Sequence, residues 1–358
     1  MLGTGVRAGI LSWDGQLEDD ARLVATLART AAGRGAELRT RARAVSLTGT
    51  GAVLRDELSG TTYGVSARAV VNAAGVWAGG LVDDVRLSPS RGTHLVVRRE
   101  AFPDLRTALT LPVPGSRNRF VMVLPQPDGL AYIGLTDEAV EGEVPDVPEP
   151  SPAEVDFLLT TVSSCLSRPL TSADVVGSFA GLRPLLHADG RTADLSRRHA
   201  VLTSSTGVVT VVGGKLTTYR RMAQDAVDAA VARSGLAAGP CTTARLPLTG
   251  AASRPELARL TATSPSPRLV RRYGADAGLV LADARKVTGL GDAELLAAVA
   301  DGVPITLAEL VFGVTHEGAH DVADLLDRRT RVGLVTADRA AAEPAAQRAI
   351  ELAAASVR

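Results

Sequence analysis

Val211-Val212-Gly213-Gly214-Lys215-Leu216-Thr217-Thr218-Tyr219-Arg220 joins an apolar, β-branched run, Val208 to Val212, to a helical pattern. In that pattern Met222, Ala226, Val227, Ala230 and Val231 recur on one face before Gly235 ends it. The reading is a buried strand that passes through two glycines into a helix. Such a junction presents backbone N–H groups and the positive end of a helix dipole, which suits an anion or the electron-rich edge of a flat ring. Lys215 and the hydroxyls of Thr217 and Thr218 add side-chain donors at the same place. The same residues also suit a plain strand-to-helix turn, with glycine for the bend, a threonine cap and Lys215 in solvent. The stretch alone does not choose between the two.

Upstream, Asp19 and Asp20 open a helical pattern with Leu23, Leu27 and Ala31 on one face and Gly33 and Gly35 at its end. Three short strand patterns follow, around 37–47, 52–56 and 61–66, and read as a small antiparallel meander. The run 67–78 is an apolar strand that ends in small residues, Ala73-Ala74-Gly75, where a flat ligand or another backbone can come close. Ser90-Arg91-Gly92-Thr93-His94 reads as a glycine-containing turn entering the strand Leu95-Val96-Val97, so that His94 could face a pocket. Strand patterns at 119–125 and 130–136 flank the turn Pro127-Asp128-Gly129 and complete a β-rich insert. The acidic, proline-rich stretch 141–154 reads as a surface linker, and a helix is expected over 153–166.

A further strand over 174–179 leads into Ala180-Gly181-Leu182-Arg183-Pro184. Arg183 precedes a proline and is therefore held in an extended backbone, which fixes the direction of its guanidinium. Arg197, Arg198 and His199 follow in a polar loop before the strands that lead back to Gly213-Gly214. After Pro240 helical patterns alternate with turn signals, at 256–260, 267–273, 292–300, 307–314 and 320–329, and read as a separate all-α domain.

Composition narrows the class. Lys plus Arg and Asp plus Glu are 39 each, so net charge gives no reason to expect nucleic acid. The hydrophobic content of 46% with 22% charged residues is that of a globular protein. Cys165 and Cys241 have neither metal-ligand nor redox spacing, no metal site is expected, and a reduced intracellular compartment fits best. No internal repeat is evident.

Arg91-Gly92-Thr93-His94, Gly181-Leu182-Arg183-Pro184 and Gly213-Gly214-Lys215 share one form, a strand end with a glycine and a cation or imidazole. With Arg197 they could gather three cations and one titratable base around a small anionic substrate. Together with Asp14 to Leu23, Val71-Asn72-Ala73-Ala74-Gly75, Trp77, Ile133 to Asp137, Arg271 to Gly274 and Asp327 to Arg331, these motifs make the chain similar to the flavin-dependent glycerol-3-phosphate dehydrogenases. Those enzymes are D-amino-acid-oxidase-like flavoproteins.

The resemblance implies an α/β (α+β) fold: the remainder of a Rossmann-like FAD domain with a β-rich substrate-binding insert, followed by an all-α C-terminal cap. It places a partial FAD-binding domain at 1–84, the insert at 85–178 with its linker at 141–154, a return to the FAD domain at 179–238 and the helical domain at 239–358. It implies oxidation of sn-glycerol 3-phosphate to dihydroxyacetone phosphate with FAD as cofactor and a quinone or another electron acceptor. By the same resemblance His94 is the base, Arg183 lies beside the reacting oxygen, and Arg197 and Lys215 hold the phosphate. Ala74, Gly75, Trp77, Gly181, Gly214, Lys215, Leu216, Thr217 and Thr218 line the flavin. A cytoplasmic location, contact with the inner face of the cell membrane and self-association are the accompanying expectations.

The family's Gly-x-Gly-x-x-Gly turn, which holds the FAD pyrophosphate, has no counterpart here, since Gly3-Thr4-Gly5 does not open a βα unit. The sequence is therefore expected to begin inside the family's chain and, by itself, to bind FAD weakly. Two alternatives follow: a catalytically incompetent fragment that binds an anion or a partner chain, or a flavin oxidase acting on an amino acid or amine. The cluster of cations favours a phosphate over a carboxylate.

Overall fold

The computed structural model of the chain describes residues 2, 3, 6, 8–103, 105–187 and 198–356. The first helix, α1 (Asp20–Ala32), starts where the acidic pair predicts, with the Asp19 carboxylate accepting from the Arg22 N–H at 2.9 Å. β1 (Ala42–Thr48), β2 (Gly51–Asp56) and β3 (Thr62–Ser66) form the expected antiparallel meander. The run after it yields only a short strand, β4 (Val71–Asn72).

The insert is a six-stranded antiparallel sheet. Its strands are β5 (Ser90–Arg98), β6 (Leu109–Pro112), β7 (Phe120–Pro125), β8 (Leu130–Gly134), β9 (Glu138–Ala139) and β10 (Val175–Arg183), with β10-β5-β8-β7-β6 as the main order and β9 beside β5. Helix α2 (Pro152–Ser163) covers one face, packing Leu158 and Val162 on Leu95, Val97, Val123 and Ile133. The other face carries Val96, Leu130 and Tyr132 against Val335 of the C-terminal domain. β5 is thus covered on both sides, which is why Leu95-Val96-Val97 reads as continuous rather than alternating hydrophobicity.

Three expectations change here. Residues 90–93 are strand and not a turn, because Gly92 is needed where Arg183 lies across it rather than for chain reversal. The strand expected at 174–179 runs on to Arg183, so the boundary placed at 178 falls inside a continuous element. Glu154, assigned to the surface linker, is buried at 3% exposure and closes a capping box with Ser151.

β11 (Ala200–Thr203) and β12 (Val209–Val212) join β4 in a three-stranded sheet, with β12 parallel to β4. Helix α3 (Tyr219–Ser234) follows β12 and ends at Gly235 in the left-handed conformation, so the strand, double glycine and helix read from the sequence are all present. Of its expected buried face, Ala226 and Ala230 are buried, whereas Val227 is exposed.

The C-terminal domain contains α4 (Arg254–Thr263), α5 (Pro267–Tyr273), α6 (Ala277–Thr288), α7 (Asp292–Leu295), the ribbon β13 (Ala298–Ala300) and β14 (Val303–Thr306), α8 (Leu307–Glu317) and α9 (Thr336–Ser356). The helix expected over 292–300 stops at Leu295 and the chain turns into β13. Residues 324–329 form a π-helical turn. Phe312, Leu310, Leu325 and the alanines 342, 346 and 349 of α9 share one core. No helix among the described residues is long and apolar enough to cross a membrane.

Candidate active site

Alternation along β5 decides which side chains meet. Arg91 and Thr93 point toward α2, and His94 points to the opposite face with Val96. The register sets His94 opposite Phe179 on β10 and Gly134 on β8. The imidazole stacks on the Phe179 ring, with centroids 4.9 Å apart and planes within 7°. It lies across Gly134, where a Cβ would overlap its Cδ2 and crowd its Nε2. Burial, followed by the positive charge of Arg183, lowers its pKa to about 4, against a smaller opposing effect of Asp20. His94 is therefore a neutral imidazole at pH 7, able to accept a proton.

Arg183 closes β10 opposite Ser90. Its Nη1 donates to Ser90 Oγ at 3.2 Å and Asp137 Oδ1 at 3.3 Å, and its Nη2 donates to the Thr136 carbonyl at 3.1 Å. The guanidinium is seated on Gly92, whose missing Cβ leaves it room. Gly181 pairs with Gly92 across the strands, and a Cβ there would meet nothing within 4 Å, so a flat, open surface adjoins Arg183.

Beneath this surface Glu154 collects hydrogen bonds from the strands that carry the site. It accepts from Thr136 Oγ1 at 2.6 Å, Thr93 Oγ1 at 2.9 Å and Arg91 Nε at 2.8 Å, and from Ser151 N and Oγ at 3.0 and 2.8 Å. Burial alone would raise its pKa, but these donors, led by Thr136, bring it down to about 2. Arg91, next to the site in sequence, is thus tied to Glu154 and turned away from His94.

The remaining candidate residues lie at the carboxyl ends of the parallel pair β4 and β12, the position where open α/β sheets bind ligands. Ala74-Gly75 leaves β4 there, and Gly213-Gly214 leaves β12. Gly75, Gly213 and Gly214 have φ of +58°, +76° and +74°. A Cβ on Gly213 would come 2.7 Å from the Arg198 carbonyl oxygen, and one on Gly214 would come 2.5 Å from Met222 Sδ. Both positions are therefore closed to any other residue. Trp77 stands 47% exposed just beyond Gly75, and Leu216 is 41% exposed. Lys215, Leu216, Thr217 and Thr218 all face solvent, with the Thr218 hydroxyl donating to the Lys215 carbonyl at 2.9 Å.

His94, Phe179, Tyr132 and Leu216 line one cleft of ≈ 420 Å³, whose lining also includes Asp20, Gln126 and Arg331. The structure thus joins His94 to the Gly-Gly-Lys-Leu segment through Leu216, and sets Arg183 beside His94. Lys215, Ala74, Gly75 and Trp77 lie outside that cleft's lining, and Arg197 lies outside the described residues. Phe179, Gly134, Glu154 and Arg331 were not anticipated. Only the strand pairing, which the sequence does not display, reveals the first two, whereas Ser151-Pro152-Ala153-Glu154 carries the local capping-box pattern that could have singled out Glu154.

Residues 2–220 match the family model described as FAD dependent oxidoreductase, and residues 241–358 match the C-terminal domain of alpha-glycerophosphate oxidase. The chain belongs to the FAD-dependent oxidoreductase family. Its fold is accordingly that of the family's flavin domain followed by this C-terminal domain. The chain is 49% identical to glycerol-3-phosphate dehydrogenase 1 of Mycobacterium tuberculosis, over 94% of its own length and 65% of that protein. It is 31% identical to the mitochondrial glycerol-3-phosphate dehydrogenase SDP6 of Arabidopsis thaliana, over 97% of the chain and 59% of the relative. It therefore spans about two thirds or less of these curated relatives. Among solved structures, the Bacillus halodurans glycerol-3-phosphate dehydrogenase complexed with FAD superposes with a TM-score of 0.79 at 30% identity, covering 94% of this chain and 69% of that one.

Proposed function

We propose that this chain carries the substrate half of an FAD-dependent glycerol-3-phosphate dehydrogenase. The observation that supports this most directly is a neutral, half-buried histidine beside a fixed arginine on adjacent strands. The open surface at Gly181 and the glycines at the ends of β4 and β12 suit a flat ring. FAD, when bound, supplies the two-electron acceptor that oxidation of a secondary alcohol requires.

The residues divide the remaining work. His94 accepts the C2 hydroxyl proton of sn-glycerol 3-phosphate, general-base help worth about 10²–10⁴ in rate. Arg183, held by Ser90, Thr136 and Asp137, stabilises negative charge as it grows on that oxygen. Lys215 and Arg197 pair with the phosphate. Ala74, Gly75, Trp77, Gly181 and Gly214 to Thr218 border the ring. The product is dihydroxyacetone phosphate, and the electrons leave to a quinone or another acceptor, with contact at the inner membrane face in the quinone case.

The test is FAD binding, read as quenching of flavin fluorescence, followed by dye-coupled oxidation of sn-glycerol 3-phosphate. His94→Ala and Arg183→Ala are expected to leave FAD binding intact and to lower kcat, whereas Lys215→Ala mainly raises KM. Unchanged kcat in both site variants would overturn the roles given to them.

A further inference from the structure

The structure uses the two acids that open α1 differently. Asp19 is buried and committed: it caps the helix through the Arg22 N–H and pairs with Arg272 at 3.1 Å. Asp20 is exposed, and its Oδ1 accepts only from the N–H of its neighbour Ala21, at 2.9 Å. No described residue donates to its Oδ2.

Asp20 and Ala21 bring the first turn of α1 into the lining of the cleft that holds His94. Two other carboxylates line this cleft, and each has a cation of its own. Glu18 lies 3.6 Å from Arg271, and Asp327 lies 2.9 Å from Arg339. Arg331 is set against Asp128 at 3.1 Å. The Tyr132 hydroxyl stays neutral, because burial pushes its ionisation up. Among the described residues of the lining, Asp20 is thus the one charge without an opposite charge beside it.

His94 has need of such a charge. When it takes up the C2 hydroxyl proton, an imidazolium forms on β5 while the Arg183 guanidinium stands on the neighbouring β10. In that step the O–H proton goes to His94 and the C2 hydride to FAD, so the imidazolium is the only charge the chain itself gains. Phe179, stacked on the ring, and Gly134, beneath it, offer no counter-charge. Burial and Arg183 disfavour protonation of His94, whereas Asp20 favours it. The geometry points to Asp20 as a positioning residue that acts through His94, its carboxylate offsetting across the shared cleft the positive charge that the imidazole acquires in turnover. This role rests on the assignment of His94 as the base. It also gives the paired acids of the sequence separate tasks, Asp19 in the join to the C-terminal domain and Asp20 in the site.

NMR of the histidine rings in the full chain without FAD, with the His94 signal identified by its loss in His94→Gln, follows the midpoint at which His94 takes up a proton. Asp20→Asn is expected to lower that midpoint, and Asp20→Glu is expected to restore it. Glu18→Gln, which removes a lining carboxylate that already has its own cation, should move it less. In FAD-loaded protein at pH 7, Asp20→Asn should lower kcat about two- to fivefold, the span of an exposed charge pair, with little change in KM. Raising the salt concentration should bring the kcat of the parent down toward that of the variant and leave the variant flat. A His94 midpoint unmoved by Asp20→Asn would overturn the proposal whether or not the protein turns over. So would an equal shift in Glu18→Gln, since any acid of the cleft would then serve. A parent that shows the Asp20-dependent midpoint but does not oxidise glycerol 3-phosphate would overturn the proposed function and leave the charge coupling supported.

Discussion

Glu154 ties β5, through Arg91 and Thr93, and the link after β8, through Thr136, to the first turn of α2, and removing its charge should be felt in stability and in the geometry around Arg183. In Glu154→Gln one carboxylate oxygen becomes an NH2. On the Oε2 side that group would confront the Arg91 N–H and the Ser151 N–H, two donors that cannot reverse. It must therefore replace Oε1 and face the hydroxyls of Thr93 and Thr136, which can rotate. The ion pair to Arg91 is lost in either orientation. Lowering the pKa from 4.5 to about 2 corresponds to at most ~3.4 kcal/mol at ~1.36 kcal/mol per pH unit. The partly exposed Arg91 end screens some of this, leaving about 2 kcal/mol. Because the folded-state pKa is depressed, this stabilisation is fully present above the unfolded value near 4.5 and is lost as pH falls toward 2. Denaturant unfolding of parent and variant at pH 7 and pH 3 measures it. The variant should be less stable at pH 7, and the gap should narrow at pH 3. A gap equal at both pH values would show that packing, not the ionised carboxylate, is what Glu154 contributes.

Three further outcomes are expected. The acid limb of kcat/KM for glycerol 3-phosphate oxidation should lie near pH 4, where His94 takes up its proton, and a limb at pH 6.5 would mean that another group is the base. Gly134→Ala should force the His94 ring off Phe179, costing about 1–3 kcal/mol by overpacking and lowering kcat more than it raises KM; wild-type kcat would refute the crowding. Arg22→Met should destabilise the chain by about 3–5 kcal/mol because it strands the buried Glu317, while adding Glu317→Leu should restore most of the loss. Failure of the second substitution to compensate in equilibrium unfolding would place the cost in packing instead.

Local patterns carried most of the secondary structure. Asp19 at the start of α1, Gly235 at the end of α3 and the glycines between β12 and α3 each reflect a backbone demand that one residue type meets, so a short window suffices. Two failures were also local in origin. Helix α9 is alanine-rich on several faces, so its buried stripe of Ala342, Ala346 and Ala349 hardly differs in hydropathy from its exposed side. Residues 298–300 continue a helical pattern, but their pairing with β14 overrides it. In the candidate site, motifs single out His94 and Arg183, which the structure sets side by side, whereas Phe179, Gly134 and Glu154 go unmarked as site residues. The roles of Phe179 and Gly134 come from which residue faces which across β10, β5 and β8, and register is a property of strand pairs, whereas that of Glu154 comes from the packing of α2 on β5.

The join between α1 and the C-terminal domain differs in kind from the two cores on either side of it. Those cores are apolar and tolerate volume-conserving exchange. The join is built from paired charges, Arg22 with Glu317, Arg272 with Asp19 and Arg29 with Asp276. Buried ion pairs add little net stability over apolar packing of the same volume, yet each is costly to misalign. A join of this kind therefore fixes relative position more than it strengthens attachment. Arg331 depends on that position, since it reaches from the C-terminal domain to Gln126 at 2.9 Å and Asp128 at 3.1 Å while lining the His94 cleft. Keeping charged partners at the join sets where Arg331 stands relative to His94, and an apolar join of equal stability would leave that register free to slide.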